Sequence, residues 1–308
     1  MISVVVPVYN NGATVGELAR RVGAALRPQA YEIIFVDDGS SDDSLAKLKR
    51  IAAASPEVKL ISLARNFGQH PAISAGFEHA QGEAIVLMDA DLQDRPEDIP
   101  PLLAKLDDGV DIVYTRKART AEGLAVRMTS SLYHYVFSHV TRSRRFADIG
   151  TLRAFTRKFL SAVLLYGERN ILYGPLMVYM GFRSDFVDVV RDARQAGASG
   201  YSLGKRLALA INSLVSYTDI PHRVLIYTGL ALFIGSGLYG TIVLAQYLFY
   251  GRALPEGFTL ILLMLTLMLG SLMISLGIIG SYVFRVYQEV LRRPRYLIAE
   301  KINFSDRP

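Results

Sequence analysis

Two stretches of this chain, Val224–Tyr250 and Phe258–Phe284, each run for 27 residues without a charged side chain. About 20 apolar residues cross the hydrocarbon core of a bilayer, so each run is long enough to span with some tilt. A helix buried in a globular core would show a polar face over that length. Glycines inside the runs (Gly229, Gly235, Gly237 and Gly240, then Gly270, Gly277 and Gly280) suit close helix contact in lipid and permit association of copies. The connection 251–257 is short, so the two spans are expected to form a hairpin with both flanks on one side. Lys205, Arg206 and Arg223 precede the pair, and Arg285, Arg292, Arg293, Arg295 and Lys301 follow it, whereas the connection holds only Arg252 and Glu256. The positive-inside rule then places both flanks in the cytoplasm and the connection outside.

Composition narrows the remaining classes. Of the 308 residues 51% are hydrophobic and 20% charged, which excludes a disordered chain. With no cysteine, a disulfide-stapled secreted module is excluded as well. Mean hydropathy is +0.26. The net charge of +6 is mild and partly juxtamembrane, where basic residues meet anionic lipid, and gives no nucleic-acid footprint. The opening Met1–Val6 lacks a basic n-region, so no signal peptide is expected. No internal repeat is visible. Before the first span, Tyr201–Ile220 places Leu203, Leu207, Ile211, Leu214 and Val215 on one helical face. That pattern fits a helix lying in the membrane interface, with a surface helix of the globular part as the alternative.

The first 117 residues alternate short apolar runs with helical stretches. Strands are expected at Ser3–Tyr9, Glu32–Asp38, Val58–Ala64, Glu83–Asp89 and Val110–Arg116. Helices are expected at Val15–Leu26, Ser44–Ala54, Pro71–Ala80 and Ile99–Leu106. Near-continuous Val/Ile strands in such alternation argue for an α/β fold: a mostly parallel, Rossmann-like sheet with helices on both faces. Ligands of such sheets bind beyond the carboxyl ends of the strands. Three of those ends are polar here: Asn10-Asn11-Gly12, Asp37-Asp38-Gly39-Ser40 and Asp89-Ala90-Asp91. Neither GxGxxG nor GxxxxGK[ST] occurs, which disfavours a dinucleotide fold or a P-loop enzyme.

Asp89 and Asp91 stand one residue apart at the end of a very apolar strand. Two carboxylates so placed can reach one hard cation, Mg²⁺ or Mn²⁺, whose shell phosphate oxygens commonly complete, and Gln93 can add an amide oxygen. Such an ion would neutralise a leaving diphosphate. The alternative is a polar loop capping the next helix, with Asp94 before Pro96 in a turn. At Asp37-Asp38-Gly39 a carboxylate can accept from a base N–H while glycine allows close backbone approach. Asp42 or Ser41 can cap the following helix. His70, His79, His134, His139 and His222 have no metal-ligand spacing and read as structural.

Val6-Pro7-Val8-Tyr9-Asn10, Asp37-Asp38-Gly39-Ser40, Arg65-Asn66-Phe67-Gly68-Gln69 and Asp89-Ala90-Asp91-Leu92-Gln93 together resemble the family 2 glycosyltransferases of the GT-A fold. The likeness covers about 220 residues. Two C-terminal spans resemble the polyisoprenyl-phosphate branch, which includes dolichol-phosphate mannose synthases and bacterial undecaprenyl-phosphate sugar transferases. Asp148-Ile149-Gly150-Thr151-Leu152-Arg153-Ala154 and Arg293-Pro294-Arg295-Tyr296 most resemble the bacterial group, with glucosyl and 4-amino-4-deoxy-arabinose-type transferases in it. The resemblance implies a cytoplasmic GT-A domain over 1–200, an amphipathic juxtamembrane helix over 201–222, a transmembrane hairpin over 223–285 and a basic tail over 286–308. It implies a multi-pass protein of the bacterial plasma membrane.

By the same resemblance, Pro7, Tyr9 and Asp38 line the donor's base and ribose. Asp89, Asp91 and Gln93 hold Mg²⁺ or Mn²⁺ with the donor diphosphate of a nucleotide sugar, and the likeness points to UDP. Arg116 and Arg119 reach donor phosphates or are solvated surface residues. Asp148 lies where the family places an acid near the reacting sugar. Arg191 and Arg194, with Ser199, Tyr201 and Lys205, match the loop that grips the phosphate of the polyprenyl acceptor. In that loop the family often reads Ser-Lys-Tyr, but here Gly200 takes the middle place, so Lys205 or Arg206 is the candidate substitute cation. After the metal motif, Asp94-Arg95-Pro96-Glu97 departs from the usual Asp-Pro-Pro-Glu. The implied catalytic group is Asp91, Asp148 and Arg194. Processive polysaccharide synthases share the fold but carry a Gln-x-x-Arg-Trp signature, and this chain has no Trp. Two other readings fit the same residues: a membrane-anchored nucleotide-sugar binder without turnover, and a transferase with a soluble acceptor.

Overall fold

The computed structural model describes residues 1–117, 149–168, 171–189 and 257–304, with scattered helical positions between 227 and 249. The chain divides into two compact units, Met1–Leu207 with Pro294–Pro308, and Ala208–Arg293. The first unit is built on an eight-stranded sheet of β1 (Ile2–Val8), β2 (Tyr31–Asp37), β3 (Val58–Leu63), β4 (Ala84–Leu87), β5 (Ile112–Lys117), β6 (Ile149–Thr156), β7 (Ser184–Val189) and β8 (Ile298–Ile302). Their order is β7-β5-β6-β4-β1-β2-β3-β8. The first four strands are parallel, with Val4 opposite Ile33 and Val86, and Ile34 opposite Lys59. Beyond β4 the sheet is mixed, because β6 runs antiparallel to both β4 and β5 while β7 runs parallel to β5. The parallel half is thus as expected, and the antiparallel β6 and β8 lie in residues where no strand was read.

Alternate side chains of each central strand feed two cores. On one face Val4, Val6, Ile33 and Phe35 meet α1 (Val15–Leu26), α2 (Ser44–Ala54) and α4 (Ile99–Asp107) through Leu18, Val22, Leu48 and Leu102. On the other, Val5, Ile34 and Val36 meet α3 (Gln69–His79), α5 (Arg157–Leu164) and α6 (Tyr173–Tyr179) through Phe77, Phe159 and Leu176. Strands covered on both faces must be apolar throughout, which is why β1 is buried at every position. Gly76 lies where an added Cβ would meet Val5 Cγ1 at 2.3 Å, so α3 packs on β1 through a residue without a side chain.

Residues 286–308, expected as a basic tail, contribute a strand. β8 pairs antiparallel with β3, Leu60 opposite Ile302 and Leu63 opposite Ile298. Asn303, in a left-handed conformation (φ 63°), donates through Nδ2 to Ala52 O at 2.6 Å and Val58 O at 2.8 Å. Arg295 donates to Tyr166 O at 2.9 Å, and Tyr296 bonds Glu78. An edge strand with Ile only at its two ends and Ala, Glu and Lys between them carries weak apolar periodicity and no local sequence signal for its partner.

In the second unit α7 (Phe258–Val290) is one continuous helix of 33 residues. It stops where Arg292 turns left-handed (φ 46°) and the N–H groups of Leu291 and Arg292 bond back to Tyr287 O and Glu289 O. Pro294 then prevents its resumption. Among the described residues no helix is long and apolar enough to cross a membrane. The first expected span lies mostly outside the described residues, and so does the amphipathic stretch 201–220.

Replacing Asn303 by Ala leaves the carbonyls of Ala52 and Val58 without their donor. The expected cost is about 1–2 kcal/mol, at the level of hydrogen bonds lost from a partly buried turn, read as a lowered midpoint in denaturant unfolding of the detergent-solubilised protein.

Candidate active site

The parallel strands deliver their loops to one edge of the sheet, and those loops are cross-linked by side chain to backbone bonds. Asn10, left-handed at φ 55°, takes Ser40 Oγ on its N–H at 3.0 Å and accepts Ser41 N–H at 2.8 Å. Asn11 N–H bonds Ser44 Oγ, Gly12 N–H bonds Asp42, and Lys47 reaches Gly12 O. Asp43, rather than the expected Asp42 or Ser41, holds the cap position of α2, and Asp42 accepts from Ser44 N–H at 3.0 Å. The β1 and β2 loops are therefore one body. Thr14 extends it by donating to Ala90 O at 2.6 Å, within the Asp89-Ala90-Asp91 segment.

Asp38 is buried, and its two oxygens accept the N–H groups of Phe67 at 2.7 Å and Gly68 at 2.8 Å. Burial pushes its carboxyl up, and those two N–H bonds oppose the shift. Beside it Gly39 (φ 68°) is pressed on the same loop: an added Cβ would sit 2.6 Å from Arg65 C and Asn66 N. Asp38, expected to line the donor's base and ribose, anchors the Arg65–Gln69 loop. Its neighbour Asp37 is fully buried, accepts Ser40 N–H at 3.3 Å through one oxygen, and keeps Oδ1 without a hydrogen-bond partner.

The anchored loop delivers Gln69, whose Nε2 donates to Asp89 Oδ1 at 2.9 Å. Asp91 accepts the backbone N–H of Gln93 at 3.1 Å across Leu92, which is buried and left-handed (φ 59°). A branched residue in that conformation costs about 1–3 kcal/mol and persists only where its surroundings enforce it. β4 ends at Leu87, so both acids stand in the turn rather than at the strand end. Asp94, read from sequence as a turn residue, is buried and accepts Thr151 Oγ1 and Leu152 N–H, which ties the turn to β6. Arg153 is buried behind it, donating to Thr151 O at 3.1 Å and Gly150 O at 3.3 Å. Burial pushes this guanidinium down, and Tyr114, Asp89 and Asp94 oppose that shift. The sequence reading assigned no role to Gln69, whose partner Asp89 is distant along the chain, or to Arg153, which bonds its own strand and faces the distant charges of Asp89 and Asp94.

Pro7 is buried in β1, and Tyr9 is 48% exposed at the edge. Arg116 forms a two-pronged pair with Asp188 on β7, at 2.7 and 3.0 Å, rather than standing alone over the edge. Asp148, Arg119, Arg191, Arg194, Ser199, Tyr201 and Lys205 lie outside the described residues. Of the expected set, the structure brings together the Tyr9, Asp38, Asp89, Asp91 and Gln93 segments. Among the described residues no group of three or more His, Cys, Asp or Glu is gathered that could hold a metal ion by itself. Two carboxylates with an amide oxygen remain an all-oxygen donor set. It suits a hard cation whose shell is completed by water and phosphate.

A parallel-centred α/β sheet, covered on both faces and with acidic loops at its carboxyl edge, is the architecture of the GT-A class of glycosyltransferase. Residues 3–164 match the family described as Glycosyl transferase family 2. The uncharacterized glycosyltransferase YkcC of Bacillus subtilis (strain 168) is 35% identical, over 99% of this chain and 95% of its own length. The SfII prophage-derived bactoprenol glucosyl transferase of Shigella flexneri is 32% identical over 96% of this chain and 97% of its own. Glucosyl-3-phosphoglycerate synthase from Mycobacterium tuberculosis, in complex with Mn²⁺, UDP and glucosyl-3-phosphoglycerate, shares the fold with TM-score 0.50. It is 18% identical, over 70% of this chain and 77% of that one. The chain belongs to glycosyl transferase family 2.

Two outcomes are expected at this edge. Asp38→Ala strips the acceptor from two loop N–H groups and should cost about 2–4 kcal/mol in unfolding free energy, roughly 1–2 per unpaired donor. Nucleotide affinity, measured by calorimetry, should weaken with it. His70, on α3 beside Gln69, is held at about 4 by burial. Its folded value lies below its unfolded one, so its contribution is complete above about pH 6.5 and is lost as pH falls towards 4. The slope is at most about 1.4 kcal/mol per pH unit. His70→Gln should flatten that acid limb in unfolding curves taken between pH 7 and 4.

Proposed function

We propose that this enzyme transfers a sugar from a UDP-sugar to a polyprenyl phosphate, with inversion, at the cytoplasmic face of a bacterial plasma membrane. The observation that carries the reading is the reach of the similarity. The match to the bactoprenol glucosyl transferase of Shigella flexneri runs through 96% of this chain, hydrophobic segments included. A second observation supports the membrane hairpin. Pro294–Pro308 belongs to the same unit as Met1–Leu207, as an even number of crossings between them would require. Over its full sequence α7 is uncharged from Phe258 to Phe284. At 1.5 Å per residue that stretch is about 40 Å long, the length the proposed hairpin would need.

An oxygen of the lipid phosphate attacks the anomeric carbon, and the bond from that carbon to the donor diphosphate breaks. The nucleoside diphosphate leaves with the electron pair. A phosphate monoester has its second pKa near 6, so about nine-tenths of it is doubly ionised at pH 7 and a strong general base is dispensable. Positioning and stabilisation of the leaving group then carry the rate. Asp89, Asp91 and Gln93 would hold Mg²⁺ or Mn²⁺, which when bound neutralises the departing diphosphate. Gln69 fixes the Asp89 carboxylate, and the turn at Leu92 aims Asp91. Asp37 and Tyr9 border the base site. In this reading Asp148 orients the sugar, and Arg191, Arg194, Ser199, Tyr201 and Lys205 hold the acceptor phosphate.

The test incubates the purified protein with Mg²⁺, undecaprenyl phosphate and a panel of nucleotide sugars headed by UDP-glucose, and looks for a lipid-linked sugar. Asp91→Ala should lower turnover by about 10²-fold or more, and full activity in that variant would remove the metal assignment. Nucleotide binding without a lipid product from any donor would favour a non-catalytic binder. Turnover on a water-soluble acceptor would favour the soluble-acceptor reading.

A further inference from the structure

Arg116 and Asp188 form a two-pronged ion pair at 2.7 and 3.0 Å, with 48% and 61% of their side chains exposed. The pair closes β5 on β7 at the carboxyl edge of the sheet, because both strands run in the direction of β4. Leu87, Arg153 and Tyr114 form one row across β4, β6 and β5. Two strand spacings, about 10 Å, separate Leu87 from Tyr114. Two residues further towards the edge stand Asp89, just past β4, and Arg116, near the end of β5. Leu87 and Tyr114 face the same core, and Arg116 lies over the Phe186 ring that packs against Tyr114. The guanidinium and the Asp89 turn therefore border one side of the edge, with a gap that a diphosphate and a long side chain can close between them.

The partner Arg116 has is one that a stronger anion can displace. The hydrogen bonds from Arg116 hold the Asp188 carboxyl below the usual carboxylate range, yet an exposed ion pair is screened by solvent and costs side-chain freedom, so it is weak. A diphosphate carries more charge than a carboxylate and offers a guanidinium the same fork of oxygens. We propose that Asp188 is an internal competitor of the donor diphosphate: Arg116 leaves Asp188 for a phosphate of the bound donor, and Asp188 thereby sets donor affinity without touching the donor. The apparent affinity is then reduced by the fraction of molecules in which Asp188 engages Arg116. For an exposed pair that reduction is about two- to fivefold. Lys105 remains within electrostatic range of the released carboxylate. The inference rests on the nucleotide-sugar reading proposed above and adds to that site a residue that regulates it.

The test measures binding of UDP with Mg²⁺ to the detergent-purified full chain by calorimetry. Both side chains of the pair are exposed, so substituting them leaves the core intact. Asp188→Asn should tighten UDP binding about two- to fivefold. Arg116→Gln should weaken it about tenfold, the level of a lost charged hydrogen bond, and adding Asp188→Asn to Arg116→Gln should change nothing further. Asp185→Asn removes the same charge from the same strand, where Asp185 pairs with Lys105, and should leave the affinity unchanged. If Asp185→Asn tightens UDP as much as Asp188→Asn does, the effect is one of net charge and the inference is overturned. If Asp188→Asn weakens UDP binding, Asp188 aims Arg116 instead of competing for it, which overturns the inference as well. If the wild type binds UDP and neither Asp188→Asn nor Arg116→Gln alters the affinity, the pair only joins β5 to β7: the nucleotide-sugar reading stands and the inference fails. If the wild type binds neither UDP nor GDP, the nucleotide-sugar reading itself fails and takes this inference with it.

Discussion

The two hydrogen bonds from Phe67 and Gly68 N–H to the buried Asp38 carboxylate are the joint on which the catalytic edge depends. A parallel sheet brings its loops to one edge but does not fix them to each other. Asp38 supplies that fixation between β2 and the loop after β3, and Gly39 permits it because a side chain there would collide with Arg65 and Asn66. The same loop starts α3 and carries Gln69 to Asp89. A carboxylate on one strand end thus sets the position of a carboxylate on another, through a loop that touches both.

The edge gathers Asp37, Asp38, Asp89, Asp91 and Asp94, a concentration of like charge that needs explanation. Most of it is neutralised locally. Asp38 and Asp94 accept backbone N–H groups, Asp89 accepts an amide, and the Arg153 guanidinium lies buried behind Asp89 and Asp94. Hydrogen bonds to a carboxylate favour its charged form without adding a mobile counter-charge. The acids therefore divide into those that build the edge and the Asp89–Asp91 pair, to which the proposed function assigns a cation and a diphosphate. The left-handed turn at buried Leu92 belongs with that pair. The backbone strain is retained in the residue between the two functional positions, Asp91 and Gln93.

Local chemistry made the first half of the sheet legible. The spacing Val15, Leu18, Val22, Leu26 fixes one face of α1, and α1 and α2 occur at the boundaries expected from such spacing. Uninterrupted Val and Ile runs marked β1 to β3 because strands buried on both faces have no polar side to show. What escaped was set by distant partners. That Asp38 anchors a loop could not be read, because the N–H groups it serves lie about 30 residues away. Asp94 looked like part of a turn because Thr151 and Leu152 are nearly 60 residues off. β8 was hidden for the same reason, its Ile-Ala-Glu-Lys-Ile sequence being intelligible only beside β3. Composition alone exposed the two hydrophobic runs, since the absence of charge over 27 residues needs no partner to be read.

The return of the tail to the sheet makes the residues after α7 part of the globular unit. Here the chain leaving α7 stops at a left-handed arginine, passes Pro294 and is bonded to the globular unit at Tyr166, Glu78 and along β3. Ala64, which receives Leu297 through its N–H, is the residue before the Arg65–Gln69 loop. The strap therefore ends its path beside the loop that Asp38 fixes and that positions Asp89. Through Leu297, Ala64 and that loop, hydrogen bonds run from the returning tail to the segment that carries Gln69 to Asp89. Under the proposed function, whose nucleophile would be a phosphate already ionised, positioning rather than a base would carry the rate.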